Sequence, residues 1–239
     1  MTELIHRFSN GKSKKSLMAA LLLPALLLSA PLAHPAGAAG EVLKIDIGRP
    51  HKGAPAGWYV KQWRGKTEFN VVKDGECTAI HLESDRSSGA LYKEIDFDIR
   101  DFPVLHWKWK VEKLPEGADV RFKHKDDQAA QIYVTFPKWP AVVNSRVLGY
   151  IWDTTAPEGA FIPSTKLSNT RYVVIRSGPE GLGQWFAEQR NVYEDYKKSF
   201  NEEPPMVGKV SVMIDSDDMA STAESYFSGI YFSKTADRP

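Results

Sequence analysis

The chain of 239 residues is close to neutral, with 31 Lys+Arg against 30 Asp+Glu, and it holds a single cysteine. One cysteine, Cys77, excludes an intrachain disulfide, so a packed core must carry stability alone. The lack of a basic surplus excludes an extended nucleic-acid surface.

Residues 1–38 read as a secretory signal peptide. Arg7, Lys12, Lys14 and Lys15 precede an apolar run from Leu17 to Ala30, and the small residues Ala36-Gly37-Ala38-Ala39 follow. Pro24 interrupts the apolar run, which is shorter than the roughly 20 residues a spanning helix needs. An uncleaved N-terminal anchor is the alternative reading. Cleavage after Ala38 removes four basic residues and one acidic one, leaving 27 basic against 29 acidic side chains. Residues 39–239 are then expected to form one domain with no transmembrane segment.

Strand patterns dominate that domain. Val42–Ile47 alternates, Gly48–Gly57 is a Gly/Pro loop, and Trp58–Trp63 is short and aromatic. Phe69–Val72, the Asp74-Gly75 turn signal and Thr78–Glu83 read as a hairpin. Leu91–Ile99 follows. In Val104–Glu112, Leu105, Trp107, Trp109 and Val111 share one face and His106, Lys108 and Lys110 the other, which predicts a strand with one buried and one wet side. Ala129–Phe136, Leu148–Trp152, Arg171–Arg176, Val207–Asp215 and Tyr226–Ser233 complete the set. A helix is predicted over Trp185–Phe200, where Val192, Tyr196 and Phe200 fall on one face and Asn201 and Pro204-Pro205 set the end. Many short strands with one late α-helix predict an all-β fold, a jelly-roll β-sandwich of two antiparallel sheets.

Gly-x-Ser-x-Gly, His-Glu-x-x-His, phosphate-loop and dinucleotide signatures are all absent. The polar residues of interest are aspartates. Asp126 and Asp127 lead into the Ala129–Phe136 strand, and successive side chains alternate, so only one of the two can follow the strand into a groove. Asp215, Asp217 and Asp218 cluster at a strand end as hard oxygen ligands that could hold Ca²⁺, although their spacing is not that of an EF-hand loop. An acidic turn bonded to its own backbone amides reads the same way. Arg190, Asn191 and Asp195 accompany the helix. Arg190 could pair with Glu194 on the surface or turn toward the aspartates. Trp107 and Trp109 share a face with Leu105 and Val111 and belong to the core, whereas Trp139, in a loop, and Trp152 could supply a stacking surface.

Trp107-Lys108-Trp109, Lys125 through Phe136, Tyr150-Ile151-Trp152, Arg190-Asn191-Val192 with Asp195-Tyr196, and Asp215-Ser216-Asp217 together resemble the bacterial exported family catalogued as domain of unknown function 3047. The resemblance spans essentially residues 39–239 and implies an exported location, but no activity. A looser similarity, in layout only, is to galactose-binding-like jelly rolls of carbohydrate-binding modules. The expectation is a periplasmic or secreted, non-catalytic binding protein for a glycan or another envelope component. Asp126, Asp127, Arg190 and Asp215, joined by Asn191 and Asp195, would form the polar part of its site, with Trp139 or Trp152 stacking. Two alternatives stand beside it: a glycan-cleaving enzyme using Asp127 and Asp215 as paired carboxylates, and a structural partner in an envelope complex.

Overall fold

A computed structural model describes residues 41–51, 54–140 and 144–236. The signal-peptide assignment for residues 1–38 lies outside the described residues. Among those described, no helix is long and apolar enough to cross a membrane.

In chain order the strands are β1 (Val42–Lys44), β2 (Pro50–His51), β3 (Ala54–Pro55), β4 (Tyr59–Arg64), β5 (Glu68–Asp74), β6 (Cys77–Asp85), β7 (Ser88–Phe97) and β8 (Val104–Lys113). They continue as β9 (Ala130–Phe136), β10 (Arg146–Asp153), β11 (Phe161–Pro163), β12 (Thr170–Ser177), β13 (Phe186–Asn191), β14 (Val207–Asp215) and β15 (Thr222–Ser233), with helix α1 (Val192–Phe200) between β13 and β14. Two sheets face each other. One has the order β13-β8-β15-β6-β5 with β1 added on β15, and the other the order β11-β12-β10-β9-β14-β7-β4. The chain passes repeatedly from one sheet to the other, and the result is the expected jelly-roll β-sandwich. Among the described residues one pairing departs from the antiparallel rule: β10 and β12 run parallel.

The period-two strands form because each has a face that must leave water. Leu105, Trp107, Trp109 and Val111 of β8 are buried and meet Tyr150 and Trp152 of β10 across the sandwich. Trp107 stacks on Tyr150 at 5.5 Å and Trp109 lies 6.0 Å from Trp152. Each such side chain contributes about 1.5–3 kcal/mol by burial, enough to fix which face turns inward. The opposite side of β8 is drier than expected, because His106 stacks on Tyr231 and Lys110 lies over Tyr226.

The helix is shorter than predicted. Phe186–Asn191 instead pairs antiparallel with β8, Phe186 opposite Trp109 and Asn191 opposite Val104. Its burial alternates residue by residue, so the period is two up to Asn191 and becomes helical only at Val192. Asn191 caps α1, its side-chain oxygen accepting the Glu194 N–H at 3.0 Å, and Asn201 closes it in the left-handed region at φ 53°. Tyr196 then packs on Phe136 at 4.6 Å.

Candidate functional site

A pocket of about 450 Å³ opens on the outer face of the seven-stranded sheet. Its floor is the outward half of the strand alternation: Gln131, Tyr133 and Thr135 of β9 beside Ser211, Met213 and Asp215 of β14. Their neighbours Ile132, Val134, Val212 and Ile214 point the other way into the core. Tyr133 and Tyr172 meet at 6.4 Å and 56° over Gly149. A Cβ at Gly149 would stand 2.5 Å from Tyr133 Cε1, so only glycine lets the ring lie against the sheet there. The Tyr133 hydroxyl donates to Gln131 Oε1. Trp63 and Leu167, both largely exposed, form opposite rims.

The acidic end of the pocket is assembled from two distant segments. The connection from β8 to β9 is folded back by the Asp119 N–H bonding Lys125 C=O at 2.8 Å and by an Arg121–Asp119 fork at 2.7–2.8 Å. It delivers Asp126, Asp127 and Gln128 to the start of β9. Asp126 is 3% exposed. Its Oδ1 accepts from Gln128 Nε2 at 3.0 Å, and its Oδ2 is a buried oxygen without a hydrogen-bond partner among the described residues. Burial pushes this carboxyl up to about 6.

Asp127 is fully buried. Its two oxygens accept the backbone N–H groups of Asp218 at 3.1 Å and Met219 at 2.7 Å, in the turn after β14. Asp215 lies against it, and burial, a hydrogen bond with Asp217 and the Asp127 charge push Asp215 far above the ordinary carboxylate range. Lys166 reaches in from the loop before β12, its Nζ 2.5 Å from Asp218 Oδ2 and bonded to the Asp126 carbonyl at 3.3 Å.

Oxygens of Asp127, Asp215 and Asp217 lie within 4.8 Å of one another. That spacing suits a hard divalent ion bonded at about 2.3–2.6 Å to each. Asp218, expected in this set, is instead occupied by Lys166. A second donor group, His81, Glu83 and Glu224, lies on the other sheet, where His81 Nε2 and Glu224 Oε1 are 2.9 Å apart.

The structure brings Asp126, Asp127, Asp215 and Asp217 together and sends the other expected site residues elsewhere. Arg190 forks onto Asp195 at 2.5 and 2.9 Å, and the Tyr150 hydroxyl donates to the same carboxylate at 3.0 Å. The buried Asp195 takes this guanidinium as its counter-charge, so Arg190 does not join the aspartates. Asn191 is spent on the helix cap. Trp152 is fully buried against Trp109 and donates to the Gly178 carbonyl at 3.0 Å, so it presents no stacking surface. Trp139 is 88% exposed, in the loop after β9, and does not line the pocket.

Tyr133, Tyr172, Gln131, Lys166 and Trp63 are pocket residues that sequence reasoning missed. A signal existed for Gln131, Tyr133 and Thr135, which occupy the outward positions of a strand whose inward set is plain.

A family model described as "Protein of unknown function (DUF3047)" matches residues 56–231. No curated protein matches. Among solved structures, the family 11 carbohydrate-binding module of the cellulosomal cellulase Lic26A-Cel5E of Clostridium thermocellum is similar at 8% identity and a TM-score of 0.46, over 84% of this chain and 99% of that one. The family 30 carbohydrate-binding module of Cel9D-Cel44B from the same organism is similar at 11% identity and a TM-score of 0.45, over 78% and 96%. The family 11 xylanase of Neocallimastix patriciarum is similar at 10% identity and a TM-score of 0.37, over 78% and 93%. Likeness at this level assigns neither ligand nor activity to the chain.

Proposed function

The chain belongs to this family of proteins of unknown function, and from its own pocket we propose that it is an exported, non-catalytic binding protein for a glycan. The observation that carries the reading is the composition of the pocket. Tyr133 and Tyr172 lie beside Asp126, Gln128, Gln131 and Asp215 on one outward sheet face. Aromatic rings match the apolar faces of sugars, while carboxylates and amides accept and donate to their hydroxyls. The export half of the reading rests on the signal-type sequence of residues 1–38.

Glycan cleavage is the second reading, and Asp126 at about 6 is the observation that favours it, since a general acid is held protonated near neutrality. The expected pair serves it poorly. Asp127 is sealed from the pocket with both oxygens taken, and its separation from Asp215, under 4.8 Å, leaves less room than the roughly 5–5.5 Å used across a scissile bond.

The test is retention on a panel of envelope and plant polysaccharides, with Ca²⁺ or with EDTA, while released reducing sugar is measured. Retention without release supports the binding protein, and its loss in EDTA places an ion among Asp127, Asp215 and Asp217. Released sugar would replace binding by cleavage. Absence of both retention and release would remove the glycan reading.

A further inference from the structure

The pocket continues into a longer feature visible only through strand register. Tyr172 pairs with Gly149, Gly149 with Tyr133, Tyr133 with Ser211, Ser211 with Tyr92, and Tyr92 with Tyr59. These six residues therefore form one row across six consecutive strands, β12, β10, β9, β14, β7 and β4. Residues directly opposite on paired strands share a face, so the whole row points outward with Tyr133. Five strand steps of about 4.8 Å make it about 24 Å long.

Exposure rises along the row, from the buried Tyr172 through the half-buried Tyr133 and Tyr92 to the exposed Tyr59. Small residues, Gly149 and Ser211, separate the aromatic positions. At the far end Tyr59 stacks on Tyr92 at 5.3 Å and 26°, and Tyr59 is 55% exposed. The pocket itself already reaches from Tyr172 to Trp63, which is in β4. Hydrogen-bonding groups lie on one flank, where Gln131 precedes Tyr133 on β9 and Asp215 follows Ser211 on the antiparallel β14. Charges of both signs border the row, Asp217 and Lys166 at the pocket end and Lys209 over the Tyr92 ring at 4.3 Å, so it offers no single-sign field to a charged chain.

We infer that the pocket is the deep end of a groove that takes an interior stretch of a straight, unbranched, uncharged glycan chain laid across the strands, rather than a single terminal sugar. The inference rests on the glycan reading above and adds the length and the charge of its ligand.

Calorimetry with cello-oligosaccharides and chito-oligosaccharides, from the disaccharide to the hexasaccharide, tests it. In the series that binds, affinity is expected to rise about tenfold or more over that range. Tyr59→Ala should remove most of the rise while leaving disaccharide affinity unchanged, because Tyr59 lies outside the pocket. Tyr59→Phe should restore it. Tyr59 is exposed on an edge strand, so neither variant threatens the fold. Equal affinity for the disaccharide and the hexasaccharide, or an equal loss for both in Tyr59→Ala, overturns the groove and leaves the glycan reading standing. Failure of both series at every length also overturns the groove, and only the polysaccharide panel then decides whether the glycan reading survives.

Discussion

Asp127 Oδ2 accepts the Met219 backbone N–H at 2.7 Å across 92 residues of sequence, and Oδ1 accepts that of Asp218 at 3.1 Å. One buried side chain thus holds the turn after β14 against the start of β9, in a turn that carries Ala220 at φ 49°. Asp127→Ala orphans two backbone amides and is expected to cost about 2–4 kcal/mol. Asp127→Asn keeps one acceptor and should cost about half as much. Urea denaturation checks the order, and equal midpoints for the three proteins would show that the turn holds itself.

Gly149 makes a different prediction, on binding as well as folding. A methyl group there meets the Tyr133 ring at 2.5 Å and the Tyr172 ring at 3.1 Å and must displace both, so Gly149→Ala should lower glycan affinity about tenfold beside an overpacking cost of about 1–3 kcal/mol. Retention assays beside thermal melts separate the two. Unchanged retention in the folded variant would mean that the Tyr133 ring position is irrelevant to binding.

Arg190 is expected to matter only for stability. Arg190→Met leaves the buried Asp195 without its counter-charge, and because the Arg190 side chain is 34% exposed the cost is discounted to about 2 kcal/mol. Adding Asp195→Asn should recover much of that loss. Glycan retention by either folded variant should match the parent, and weaker retention would bring Arg190 back into the binding site.

The hydrogen bonds of Arg121 to Asp119 hold that carboxyl down to about 2. Because the folded value is depressed, the pair stabilises the fold above the ordinary carboxylate range, and its contribution fades as pH falls from about 4 through about 2. Asp119→Asn should therefore lose about 2 kcal/mol near neutral pH, with the gap to the parent closing toward pH 2. Denaturation curves for both proteins at several pH values check this. A gap of constant size would assign the loss to packing instead.

Strand content and pairing partners differ in how far sequence reveals them. The β8 strand is legible because an apolar side chain recurs at every second position from Leu105 to Val111. The helix is overextended because Trp185 and Phe186 look apolar at its start, whereas Phe186–Asn191 is claimed by β8, a partner encoded some 80 positions earlier and invisible in a local window. The acidic end is half legible: Asp126, Asp127 and Asp215 stand out as strand-end carboxylates, but Lys166 arrives from a loop that only tertiary folding brings near. Tyr92, Tyr133 and Tyr172 each read as one outward aromatic on its own strand. Their alignment depends on registers between strands as far apart in sequence as Tyr92 and Ser211, which no periodicity reports.

The last strand has a consequence for the order in which the molecule can come into being. β15 lies between β8 and β6 and carries β1 as well, so the six-stranded sheet lacks its middle until Thr222–Ser233 exists. A growing chain that has reached α1 already holds most of its aromatic core residues but has nowhere to close them. The sandwich therefore cannot close until Thr222–Ser233 has emerged, and every earlier strand of that sheet must stay able to receive it.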